Sequence, residues 1–503
     1  MRSLSFLRIL GVAAVLATTP AGHAQGAKEI SPANIVLHGD GHEVLACSTC
    51  HGPSGEGNAS AGFPRLAGLP QAYLAAQLDA LATGARQSPV MEPIAKSLNT
   101  QQRQQLARYY SRLSLPRVPT QATPDDRVAL HGRWDDYIPA CVNCHGAKGS
   151  GVGERFPPLA GQSSLYIANQ LRAWKSGMRH ADPLGLMQAV ASRLTDQDVQ
   201  AVSDYFATQP SVGNAEVATD DSSKPGEANG THHAGFTPTQ RPFPDDDFGK
   251  IIKSGRDLFE NPARYASQYV GNDLTCTNCH LDAGRHVGSA PLWAAYVSYP
   301  AYRAKNHHVN TFEERLQGCF QFSMNGKAPP LGDPVLVALE SYAYWMAQGA
   351  PLDPNIPGRG YPKPTKPALA PDYTRGSQVY ARSCALCHGA DGGGQHDNDG
   401  SPAFPALWGP HSFNWGAGMG SVNNAAAFIK ANMPLGLPGT LSDQDAWDVA
   451  LFMDSHERPQ DPRFTGSVAD TRAKFHDGDD WMYGKSVNGH ILGSDSAPPG
   501  PQP

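Results

Sequence analysis

The residues with the most chemical reach in this 503-residue chain are its nine cysteines, and eight of them repeat one spacing. Cys47 and Cys50 precede His51, Cys141 and Cys144 precede His145, Cys276 and Cys279 precede His280, and Cys384 and Cys387 precede His388. In a C-x-x-C-H run the two thiols form thioethers to the vinyl groups of a haem, and the adjoining histidine is the proximal ligand of its iron. A single run also admits a zinc pair or a redox dithiol. Four runs, each closed by histidine, predict four covalently bound haem c groups.

The ninth cysteine, Cys319, stands in "RLQGCFQFSMNG" with no such partner. Thr311 and Glu314 have the spacing of a capping box, which predicts a helix from Phe312 onward. On that helix Arg315, Cys319 and Ser323 are four apart and share a face. Arg303 and Lys305 bring further positive charge to the segment. An electropositive setting lowers a thiol pKa and attracts anions. Two readings of Cys319 follow, a buried free thiol or a thiolate distal ligand. In this module Met324, His307 and His308 are the other candidate distal ligands.

The elements that must position these residues come in modules. "CSTCHGPSGEG", "FPRLAG", "YLAAQL" and the methionine loop around Met91 are echoed by "CVNCHGAKGSG", "FPPLAG", "YIANQL" and the loop around Met187. Each copy runs from haem motif to glycine-rich loop, helix, methionine loop and closing helix. Position in the repeat selects Met91 and Met187 as distal ligands, with Met178 the local competitor of Met187 and core packing the alternative role. The fourth module keeps "CHGADGGG" and "FPALWG", and its "AAFIKANMPLG" offers Met433. The third lacks the glycine-rich loop and the FPxLAG echo.

The predicted fold is mainly α, with four cytochrome c-like helical haem domains in tandem. Expected boundaries are 25–118 and 119–210 for the first two domains, 241–362 for the third, which holds Cys319, and 363–462 for the fourth. A small-residue linker holding His232 and His233 covers 211–240, and an irregular tail covers 463–503. Residues 1–24 have the arginines, short apolar run and small-residue end of a cleaved secretory signal, which predicts an exported, periplasmic protein with no transmembrane segment. The formal charge is -6, and loss of Arg2 and Arg8 with the signal leaves -8, a balance that gives no case for nucleic acid.

"LTCTNCHLDAGR", "YPAYRAKN" and "TFEERLQGCFQFSMNGKAPP" closely resemble the dihaem thiosulfate dehydrogenases over roughly Phe243 to Pro459. The N-terminal half resembles the dihaem cytochrome c that accepts their electrons. The resemblance implies coupling of two thiosulfates to tetrathionate, with a downstream redox protein or terminal oxidase as partner. It places the axial ligands of the active-site haem at His280 and Cys319, and those of the second at His388 and Met433. It assigns Arg315 and Ser323 to the substrate site, with Lys305 or Arg303 as a second cation. Some members carry a lysine before the methionine ligand, where this chain has Asn432. The alternatives are the same site working as a tetrathionate reductase, and a non-catalytic multihaem electron carrier.

Overall fold

The computed structural model describes residues 31–114 except 42, 126–210, 236, 238, 241–303, 308–352 and 356–496. The expected leader, most of the 211–240 linker with His232 and His233, and Lys305 and His307 lie outside the described residues. Helices dominate, and the sheets among the described residues are three two-stranded hairpins.

The first two repeats fold alike. Helix Gln71–Thr83 packs against Met91–Ser97 and Thr100–Ser111 around Leu74, Leu98, Leu106 and Tyr110. Helix Ser164–Lys175 packs against Leu186–Arg193 and Asp196–Thr208 around Ile167, Leu171, Val202 and Phe206. Capping boxes Asn99/Gln102 and Thr195/Asp198 start the two closing helices, meeting donors that a first helical turn leaves open. The repeats join through a near-symmetric exchange. Arg86 donates to Gln77, Tyr166 and Gln170, while Arg179 donates to Gln170, Tyr73 and Gln77.

Segments 241–362 and 363–462, expected as separate domains, share one hydrophobic core that includes Ile252, Trp293, Leu336, Tyr342, Trp415, Ala426 and Val449. Helix Asp247–Glu260 crosses Pro334–Met346 so closely that a Cβ on Gly255 would lie 2.0 Å from the Ala338 carbonyl oxygen. Glycine at that point sets the approach of the two helices. Helices Tyr373–Ser383 and Val422–Asn432 both pack on Asp443–Asp454.

The tail corrects an expectation. Residues 463–496 are not irregular: they form helix Val468–Phe475 and hairpin Ser486–Val487/His490–Ile491, and Tyr483 and Leu492 enter the shared core. Composition misleads here because Gly, Asp and Pro signal loops, whereas the docking is made by single buried side chains. Fully buried His476 holds Asp461 at 2.8 Å, and Arg463 pairs with the same carboxylate at 2.7 Å. Burial opposes the Asp461 charge, but the hydrogen bonds from His476 and Arg463 outweigh it and hold this carboxyl well below the usual range.

A carboxyl with a lowered folded-state pKa adds stability above its unfolded value, about 4, and the contribution is lost as pH falls through the folded value. Asp461→Ala should therefore cost about 3 kcal/mol near neutrality, since it removes the carboxylate that Arg463 and buried His476 both bond. Chemical denaturation as a function of pH will show this as a lower midpoint and a weaker dependence on pH below about 4.

Candidate active site and haem-attachment sites

The four motif histidines share one orientation. His51 Nδ1 is 2.9 Å from the Pro64 carbonyl, His145 Nδ1 2.9 Å from Pro157, His280 Nδ1 2.7 Å from Ala290, and His388 Nδ1 2.9 Å from Pro405. A carbonyl only accepts, so Nδ1 carries the proton and Nε2 keeps its lone pair for a metal. Burial pushes His280 down to about 4, against the Ala290 bond and with help from the Arg315 charge, so its imidazole is neutral.

Other groups fit haem c as well. His51 Nε2 is buried with no hydrogen-bond partner, as are Nε and Nη1 of Arg65, the residue after the Pro64 that accepts from His51 Nδ1. Buried donors without partners are costly, and guanidinium forks suit the carboxylate arms of a haem. All nine cysteine sulfurs are outside disulfides. A cavity of about 1220 Å³ is lined by Cys144, Cys279, Cys384, Cys387, His388 and Met433, joining the second, third and fourth motifs.

The third motif departs in its backbone. After His51, His145 and His388 comes a glycine with φ of 77°, 77° and 78°. After His280 comes Leu281, and the left-handed conformation falls on Asp282 and Ala283, with φ of 54° and 48°. Such conformations cost roughly 1–2 kcal/mol each in residues with a Cβ, and they collect at functional sites.

Met91 and Met187 are half-buried, and Met187 packs against the second core. Met178 is 47% exposed, and its carbonyl accepts from Gln87 N in the contact between the repeats. Met433 caps helix Val422–Asn432 and lines the cavity with His388. Met324 is packed in the shared core, and His308 Nε2 is 3.2 Å from Glu314.

The Thr311/Glu314 capping box forms as expected and opens helix Phe312–Gly318. Arg315 Nη1 donates to Cys319 Sγ at 3.0 Å. Charge on Cys319 raises the Arg315 pKa against its burial, and charge on Cys319 also acts on Cys276 and Cys279. Arg315, Cys319 and the third motif thus occupy one place. Arg303 ends a strand whose return strand, His308–Asn310, runs directly into the Thr311 cap.

Ser323 departs from the expected α-helical register. Cys319–Ser323 is wound as a π-turn, with Met324 N donating to Cys319 O at 2.9 Å. Sequence reasoning also passed over Tyr361, which belongs to the proline-rich stretch. Burial pushes its phenol up, and charges on Cys279, Arg315 and Cys319 all act on it. No periodicity marks a lone aromatic in such a segment.

Comparison with known proteins places this geometry. The cytochrome c family model matches residues 40–114, 137–210 and 373–457, and the model for the SoxA/TsdA cytochrome c domain matches 255–352. The thiosulfate dehydrogenase of Thiomonas intermedia (strain K12) is 64% identical over 53% of this chain and 84% of its own length. The thiosulfate dehydrogenase electron acceptor of the same organism is 50% identical over 33% of this chain and 80% of its own. The solved thiosulfate dehydrogenase (TsdBA) of Marichromatium purpuratum, in its as-isolated form, superposes with a TM-score of 0.83 at 43% identity, covering 93% of this chain and 99% of that one. The chain belongs to the thiosulfate dehydrogenase family, as a TsdBA-type fusion whose first half matches the electron-acceptor cytochrome and whose second half matches the dehydrogenase.

Proposed function

We propose that the chain is an exported, periplasmic tetrahaem cytochrome that joins two thiosulfates into tetrathionate and passes the two electrons through its own haems to a downstream redox protein or terminal oxidase. The observation that carries the reading is the 3.0 Å contact of Arg315 Nη1 with Cys319 Sγ beside the third motif. A guanidinium at that distance favours the thiolate, which is the ligating form of cysteine. Cys319 and His280 would then hold the iron of the catalytic haem, and Met91, Met187 and Met433 would join the other three motif histidines in holding theirs, leaving those irons closed to substrate. Each haem, when bound, supplies acceptance of a single electron.

Two thiosulfates are dianions, and bringing their sulfane sulfurs together meets strong repulsion away from bulk water. Arg315 offsets it, with Arg303 and Lys305 as further cations and Ser323 as a hydroxyl donor at the margin. One sulfur–sulfur bond forms, two electrons leave, and no proton is taken up or released. The route outward is supported by the packing. Phe156 and Phe404 rings meet at 5.0 Å beside Cys144 and Cys387, and Asp397 and Asn398 fasten the contact to Ala147 N and Ser150 O at 3.1 and 2.8 Å. The first and second repeats are joined at Arg65, which bonds Gln162 and Ala160. Among the described residues no helix is long and apolar enough to cross a membrane, and the exported location rests on the pattern of residues 1–24.

Cys319→Gly should abolish thiosulfate-dependent dye reduction while leaving haem content intact, and turnover at the unmodified rate would dismiss the assigned role of the thiol. Arg315→Met should lower kcat/KM for thiosulfate by about 100-fold, with Arg315→Lys recovering only part, because an ammonium restores charge without the planar fork. Steady-state dye assays at fixed ionic strength measure both.

A further inference from the structure

Cys319 stands at the start of a turn that a regular helix would not make. Over Cys319–Ser323 the winding is one residue wider, closed by Met324 N to Cys319 O at 2.9 Å and Gly326 N to Phe320 O at 2.9 Å. The next three carbonyls are all met from outside the turn. Gln321 O accepts from Asn414 Nδ2 at 2.9 Å, Phe322 O from Asn414 N at 3.2 Å, and Ser323 O from Asn272 Nδ2 at 2.9 Å.

Both asparagines are buried and themselves fixed. Asn272 Oδ1 accepts from Leu274 N at 3.2 Å, and its Nδ2 also donates to Ser412 O at 3.1 Å. Asn414 Oδ1 accepts from Gly416 N at 3.1 Å, and its Nδ2 also donates to Asn325 Oδ1 at 3.1 Å. Beyond the turn the backbone is clamped: Gly271 N donates to Met324 O, and Cβ atoms on Gly271 and Gly326 would fall 2.0 and 1.9 Å from the carbonyl oxygens of Asn325 and Tyr269. The Arg463 guanidinium lies 4.9 Å over the Phe322 ring.

We infer that Asn272 and Asn414 are positioning residues for the active site: they hold the π-turn open and so fix Cys319 Sγ against Arg315 and the third haem motif. A π-turn is rare because its bonding geometry is poorer than that of an α-turn, and it persists where outside groups satisfy its carbonyls. With either asparagine unable to donate, the segment relaxes toward α-helical winding and carries Cys319 off its place. Asn414 lies beyond the fourth motif, so the thiol of one haem site is set by the chain of the next. The inference rests on the reading of Cys319 as an axial ligand.

The test uses the full-length, haem-loaded chain as wild type, Cys319→Gly, Asn272→Asp, Asn272→Ala, Asn414→Asp and Asn414→Ala. The aspartates keep size and acceptor but lose both donors; the alanines add no charge. Readouts are the low-spin electron paramagnetic resonance signal of the thiolate-ligated ferric haem and the rate of cyanide binding to it. The asparagine variants should lose or broaden the signal that Cys319→Gly abolishes, and bind cyanide at least about tenfold faster, equal to 1.4 kcal/mol less hold on the ligand. Should the alanine variants take up less haem, the near-isosteric aspartates give the readout. Wild-type signal and cyanide rate in the asparagine variants at full haem content would overturn the inference. A wild-type signal in Cys319→Gly would instead remove the ligand reading beneath it, and the inference with it.

Discussion

A metal-binding imidazole must offer one nitrogen and tie down the other, and here a hydrogen bond from Nδ1 to a backbone carbonyl does this at each of the four motifs. Much of the rest serves that bond. In three modules the acceptor is a proline of the Phe-Pro loop, which the glycine after the motif lets the chain reach, with φ of 77°, 77° and 78°. In the third the acceptor is Ala290, itself at φ 51° and held by its own N–H on Gly360 O at 3.0 Å. Gly288, two residues earlier, bonds Gly358 O through its N–H and takes Asn432 Nδ2 on its carbonyl at 3.2 Å. The histidine of the third motif is therefore oriented by the stretch linking the third and fourth modules and by the residue next to Met433.

That dependence accounts for the shared core. Independent haem domains each need their own apolar centre, and the first two have one. The fourth module supplies donors to the third, so separating them would strand the Gln321, Phe322 and Gly288 carbonyls, which now have partners in Asn414 and Asn432.

What could be read in the sequence was what is local. The C-x-x-C-H runs, the repeat of the first two modules and the Thr311/Glu314 cap depend on spacings of a few residues, and the cap and helix stand where the spacing put them. The Arg315–Cys319 contact follows from that helix. The π-turn does not, because the donors that sustain it lie at Asn272 and Asn414, about fifty residues before it and ninety after. Tyr361 and the docked tail were hidden for a related reason: each is placed by single buried side chains with no period, in stretches whose glycine and proline content signals loop.

The two inter-module contacts differ in charge. The second and fourth motifs meet through aromatic rings and apolar side chains, with Phe156 on Phe404. The first and second repeats meet instead around Arg86 and Arg179, which donate to glutamines and tyrosines. Arg179 is 2% exposed, and the charge of Arg86 acts on His51. Positive charge buried beside a haem stabilises the added electron, and low dielectric enlarges the effect. A Cys319 thiolate holding the third haem, as proposed, would do the opposite and stabilise the oxidised iron. On the proposed ligation the path descends from the Cys319 site toward the N-terminal repeats, and the arginines that join those repeats would favour their acting as electron sink for the dehydrogenase half.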